Sequence, residues 1–139
     1  MEPALVPGDQ VSLATGTTAR LKRGDVVVFE IPTRYHFGTD TMIKRIVGLP
    51  GESIASSGAT VLINGVPLSE PYLSPSQAPG PPIAEQVIPR DAYFMLGDNR
   101  TNSLDSRFLG PIPATAIIGI AERIVAPASR SGPVPGSPG

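Results

Sequence analysis

Apolar positions along this chain come in short runs that turn residues cut off before a helical period can establish itself. Pro or Gly interrupts nearly every window long enough for a helix, so the runs read as strands. Six are expected, at residues 11–14, 25–31, 41–47, 60–63, 92–96 and 117–125, each rich in Val, Ile, Phe or Tyr and bounded by turn residues. Asn64-Gly65, set between Val61-Leu62-Ile63 and Val66-Pro67-Leu68, is the strongest hairpin signal. Many short strands joined by Gly/Pro turns predict a mainly β fold, an antiparallel sheet or barrel-like arrangement, rather than a parallel α/β sheet.

Two stretches fall outside this pattern. Residues 74–89 hold five prolines with few apolar anchors and are expected to form a long surface loop. Residues 127–139 are Pro, Ser, Gly and Ala with Arg130 and little else to bury, so disorder is expected there.

Composition narrows the function classes. The chain has 139 residues, 40% of them hydrophobic, enough for one domain with a core. It has no Cys, which removes disulfide frameworks, thiolate nucleophiles and Cys-built metal sites. A net charge of −1 and seven aromatics give neither the electrostatic footprint nor the stacking platforms of a nucleic-acid binder, so no nucleic-acid partner is expected. No apolar run is long enough to cross a membrane, and the chain itself is expected to be soluble.

Candidate chemistry concentrates in two segments. As a strand, 41–47 puts Met42, Lys44 and Ile46 on one face and Ile43, Arg45 and Val47 on the other. In the plain reading one face is core, the other solvent, and the charge is incidental. In the sharper one Lys44 is partly desolvated, which disfavours its ammonium form and suits it to act as a general base for a serine. The second segment, 97–111, is a polar loop directly after an apolar run, with Asp98, Arg100, Asp105 and Arg107 interleaved among hydroxyl and amide side chains. It is either a solvated turn or a loop whose shape is fixed by fork-geometry ion pairs. The single histidine, His36, reads as an ordinary loop residue. No metal or other cofactor is expected, since Asp9, Asp25, Asp98 and Asp105 have no ligand spacing and no supporting His or Glu cluster.

In order along the chain, four blocks resemble the type I signal peptidases, the Ser-Lys proteases of the S26 family. They are Met1-Glu2-Pro3-Ala4-Leu5 with Gly8-Asp9, then Lys22 to Phe29, then Ile43-Lys44-Arg45-Ile46-Val47-Gly48-Leu49-Pro50-Gly51-Glu52, and last the polar loop from Gly97 to Gly110. The resemblance implies a catalytic β domain over 1–126, with 53–90 as a reduced hairpin and loop insertion. It implies Lys44 as general base, Ser103 orienting the Lys44 amine, and Asp105–Arg107 and Asp98–Arg45 as supporting ion pairs. It also implies an extended substrate in a shallow groove lined by Met1, Leu5, Val11, Val28, Met42 and Ile43. The expected function is removal of signal peptides from exported preproteins by cutting after small residues, in the pattern Ala-X-Ala. The native protein is expected to be membrane-anchored, with this domain on the outer side.

In the family the nucleophilic serine immediately precedes the methionine that aligns with Met1, and the anchor lies further upstream. The chain is therefore expected to begin just after its nucleophile and to be inactive as it stands. None of Ser12, Ser53, Ser56 or Ser57 has the surroundings of a replacement. The alternatives are a non-catalytic homologue that binds extended peptides in the same groove, and another Ser-Lys branch such as a self-cleaving repressor or a pilin-processing peptidase.

Overall fold

The computed structural model describes residues 1–16, 21–32, 34 and 41–138. Two antiparallel sheets make up the fold. The larger contains β1 (Gln10–Thr15), β2 (Val26–Glu30), β3 (Thr41–Gly48), β8 (Ala92–Leu96), β9 (Ile112–Pro113), β10 (Ile117–Ala126) and β11 (Gly132–Pro133). Its order is β1-β10-β2-β3-β8-β9, with β11 also paired to β10. The smaller has β4 (Ser53–Ser57), β5 (Thr60–Ile63), β6 (Val66–Pro67) and β7 (Gln86–Val87) in the order β6-β5-β4-β7. One short helix, α1 (Ser106–Leu109), follows the polar loop.

Strand alternation distributes side chains into separate cores. Along β8, Ala92, Phe94 and Leu96 join Ile54, Val61, Ile63 and Ile88 of the smaller sheet. Met95 points the other way, onto Val27, Phe29, Ile46, Leu109 and Ile112. On β3 the neighbours Ile46 and Val47 divide in the same way. The larger sheet is thus covered on both faces around β3 and β8, and Arg45, expected on either a core or a solvent face, is fully buried.

All six expected strands are present, with ends within a residue or so. Asn64 and Gly65 both take positive φ, 51° and 78°, as a two-residue hairpin turn requires. Residues 74–89 are not wholly a surface loop, because they include β7 and bury Ile83 and Ile88. The expected disorder of the tail does not hold for 127–138. A 3-10 turn at Ala128–Arg130 leads into β11, Val134 is buried against Leu5, Val26, Ala121 and Ile124, and the Pro135 carbonyl accepts from Arg45. Composition counted only apolar residues. One well-placed valine, a strand pair and two guanidinium contacts supply the rest, in a segment whose prolines already restrict the unfolded chain. His36 lies outside the described residues.

Candidate functional site

Lys44 stands in the middle of β3, paired with Val27 of β2. The polar loop returns to it from the end of β8. Asp105 caps α1 by accepting from the Arg107 backbone N–H at 3.1 Å, and its Oδ2 accepts the Gly97 N–H at 3.0 Å. Arg107 grips the same carboxylate through Nε at 2.9 Å and Nη2 at 2.8 Å. The Ser106 hydroxyl accepts from the Met95 N–H at 2.9 Å. The loop is therefore laced to β8 at both Gly97 and Met95, and this holds Ser103 against the lysine: Lys44 Nζ donates to Ser103 Oγ at 3.1 Å.

Gly97 makes that approach possible. A Cβ there would stand 2.1 Å from Ser103 Oγ and 3.4 Å from Lys44 Nζ, so no side chain fits between strand and loop.

Burial lowers the Lys44 pKa from its ordinary value; the Arg107 charge adds to this, while Asp105 and Asp98 act against it. Asp105 is also buried, which by itself would raise its pKa. The Arg107 fork, the Gly97 N–H and the Ser103 hydroxyl outweigh this and hold the carboxyl below its usual range. Asp105 is thus an anion fixed in place, and the Ser103 hydroxyl lies between it and the amine.

On the opposite face of β3, Arg45 and Asp98 form a two-pronged pair at 2.9 and 2.7 Å with neither side chain exposed. Arg45 also donates to the Gly24 and Pro135 carbonyls at 3.0 and 2.8 Å, and Tyr72 covers it with its ring centroid 4.0 Å away. These are the pairings that the sequence expectation named.

Met1, Leu5, Val11, Val28, Met42 and Ile43 all line one surface depression. It consists of two cavities of about 410 and 330 Å³ that share Leu5, Val6 and Ile43 as walls. Asn99 and Asn102 of the polar loop border the first, where Met1 lies. A separate cavity of about 220 Å³ lies behind the loop, between the smaller sheet and residues 73–81, away from Lys44.

Three charged pairs carry no signal in the sequence, one of them Arg23 with Glu52 at 2.7 Å. Arg100 pairs with Glu70, which also accepts from the Tyr72 hydroxyl at 2.7 Å, and the Arg100 N–H donates to Gln77. Arg130 pairs with Asp9 at 2.8 Å. All three connect segments far apart in sequence, and no local pattern signals them. Among the described residues no group of three or more His, Cys, Asp or Glu side chains is placed to hold a metal ion. No helix of the described residues is long and apolar enough to cross a membrane.

The family model for signal peptidase, peptidase S26, matches residues 1–126. A signal peptidase I of Leptolyngbya laminosa is 40% identical over 117 residues, covering 80% of this chain and 56% of that protein. Signal peptidase I T of Bacillus subtilis (strain 168) is 33% identical over 139 residues, covering 91% of this chain and 69% of its own length. The chain thus spans between about half and two thirds of these relatives. The crystal structure of a signal peptidase I from Enterococcus faecalis V583 superposes with a TM-score of 0.58 at 30% identity, over 73% of this chain and 96% of that one. The two-sheet antiparallel fold, the lysine strand and the matched span together make this chain a member of the signal peptidase family, peptidase S26.

Proposed function

We propose that this chain is the catalytic domain of a membrane-associated serine endopeptidase that removes signal peptides from preproteins by a Ser-Lys mechanism, cutting after small residues. The observation that carries the reading is Lys44: a half-buried amine with a lowered pKa, held 3.1 Å from the Ser103 hydroxyl on a loop fixed by the buried Asp105 carboxylate. Lys44 is the general base and Ser103 its positioning residue. The nucleophile is a serine immediately before Met1, and the anchor lies upstream of it, placing the domain on the outer side of the membrane.

The chemistry follows from a neutral amine. Lys44 Nζ takes the proton from the serine hydroxyl as its oxygen attacks the scissile carbonyl, giving a tetrahedral oxyanion. The resulting ammonium returns that proton to the departing amine, leaving an acyl-enzyme. Water then attacks the ester with Lys44 again as base, releasing the acid and the serine. The Ser103 hydroxyl accepts from the amine in each state and keeps it aimed. The shallow apolar depression walled by Leu5, Val11, Val28, Met42 and Ile43 suits small side chains of an extended peptide.

In the full-length protein with serine ahead of Met1, a peptide carrying Ala-X-Ala is expected to be cleaved at its last alanine. Lys44→Ala should reduce kcat by about 10²- to 10⁴-fold. Full activity of Lys44→Ala refutes the mechanism, and peptide binding without cleavage by the unmutated protein favours a non-catalytic binder.

A further inference from the structure

Arg130 lies beyond the residues matched by the family model and outside the cluster around Lys44. It closes the 3-10 turn Ala128–Arg130 after β10, and its guanidinium reaches back to the start of the chain. Nε donates to the two Asp9 carboxylate oxygens at 2.8 and 3.1 Å, and Nη2 to Asp9 Oδ2 at 2.9 Å. Nη2 also donates to the Ala4 carbonyl at 3.1 Å. Asp9 accepts from the Val6 N–H at 3.0 Å, and its own N–H returns to the Val6 carbonyl at 3.1 Å.

One fork therefore ties both ends of the turn formed by residues 4–9, with the Asp9 side chain only 3% exposed and that of Arg130 34%. Val134, four residues past Arg130, packs in the same buried cluster as Leu5.

That turn governs the site. Leu5 and Val6 separate the two cavities of the depression and wall both. Met1 precedes the turn, borders the first cavity and accepts from the Leu5 N–H at 3.2 Å. Displacing residues 4–9 thus moves Met1, which packs on the same cluster as Ile43 of β3, while Val28, Met42, Ile43 and Lys44 stay on β2 and β3.

We propose that Arg130 is a positioning residue: by pinning Ala4 and Asp9 it sets where the segment ahead of Met1 delivers the nucleophile to Lys44. This rests on the reading of Lys44 as general base. The turn itself supplies Leu5, Val6 and Asp9 to the groove, so its displacement acts on binding as well as on alignment, while Val28, Met42 and Ile43 stay on strands that the fork does not touch. Lysine cannot replace it fully, since an ammonium has no planar fork to span a carboxylate and a carbonyl together.

The test compares Arg130→Gln, Arg130→Lys and Lys44→Ala in the full-length protein, with kcat and KM for an Ala-X-Ala peptide and amide hydrogen exchange of the folded state. Arg130→Gln should lower kcat about 10- to 100-fold. Its KM should rise by a smaller factor than kcat falls, since Val28, Met42 and Ile43 still hold the peptide while alignment is lost. Arg130→Lys should recover part of kcat. Exchange should accelerate at residues 4–9 and remain unchanged in β2 and β3. An unchanged kcat in Arg130→Gln, beside an inactive Lys44→Ala, overturns the inference and leaves the base assignment standing. A fall in kcat matched by a lower folded fraction also overturns it. An active Lys44→Ala removes the reading on which the inference depends.

Discussion

Lys44 draws its chemistry from neighbours on other elements rather than from its own strand. Removal from water disfavours the ammonium, and the Ser103 hydroxyl accepts from the amine at 3.1 Å. If, as proposed, the neutral form is the base, kcat/KM should rise with pH and level off above a pKa below the ordinary lysine range. The same shift affects stability. In the unfolded chain Lys44 keeps its proton up to the ordinary lysine value, so between the two values the unfolded state binds more protons and stability rises with pH. Urea unfolding from about pH 7 to 10 should give a smaller rise for Lys44→Met than for the parent, since this is the window below the ordinary lysine pKa of about 10.4. Equal slopes would refute the desolvated amine. The alternation in 41–47 made Lys44 legible as a candidate, but it could not choose between a solvent face and a partly buried one. That choice was made by residues more than fifty positions away in sequence, at the polar loop.

At the scale of elements, what could be read was whatever carried its own pattern. β2, β3 and β8 are apolar runs that bury side chains on both faces, β10 alternates buried with exposed positions, and Asn64-Gly65 takes the positive φ of a two-residue hairpin turn. β4 was not anticipated because Ser53–Ser57 has low strand propensity of its own; β5 and β7 pair with it from both sides. The two-residue strands β6, β7, β9 and β11 exist only through their partners. The junction between β8 and the polar loop combines both kinds of information. Asp98 and Ser103 were visible as candidates, whereas the need for glycine at 97 appears only when strand and loop are brought together. Gly97→Ala should drive Ser103 away from Lys44. It should cost about 1–3 kcal/mol from overpacking and lower kcat about 100-fold through lost alignment. Measuring both quantities in the same variant decides the point: an active Gly97→Ala protein with only the stability loss would mean that Ser103 does not hold the base.

For the molecule as a whole, the buried Arg45–Asp98 pair joins three regions: the lysine strand, the polar loop and the tail through Pro135. Tyr72 closes over it, and burial pushes the phenol pKa well above its usual value, so that side chain stays neutral there. A pair this dry is weak evidence of net stabilisation, since removing both charges from water offsets much of their attraction. Breaking it is another matter, because one partner is then left charged without its counterion. Asp98→Ala should cost about 3–5 kcal/mol. The partly exposed Arg23–Glu52 pair, with side chains 29% and 16% accessible, provides the contrast. Arg23→Met should cost no more than about 1 kcal/mol, since solvent screens such pairs. Replacing Arg45 and Asp98 together by apolar residues should recover much of the Asp98→Ala loss, because no orphaned charge remains. Chemical denaturation of the four proteins measures this directly. If the double replacement is as unstable as Asp98→Ala, the contribution lies in the contacts that Arg45 makes to Gly24, Pro135 and Tyr72, and the tail is held by that guanidinium rather than by the attraction between Arg45 and Asp98.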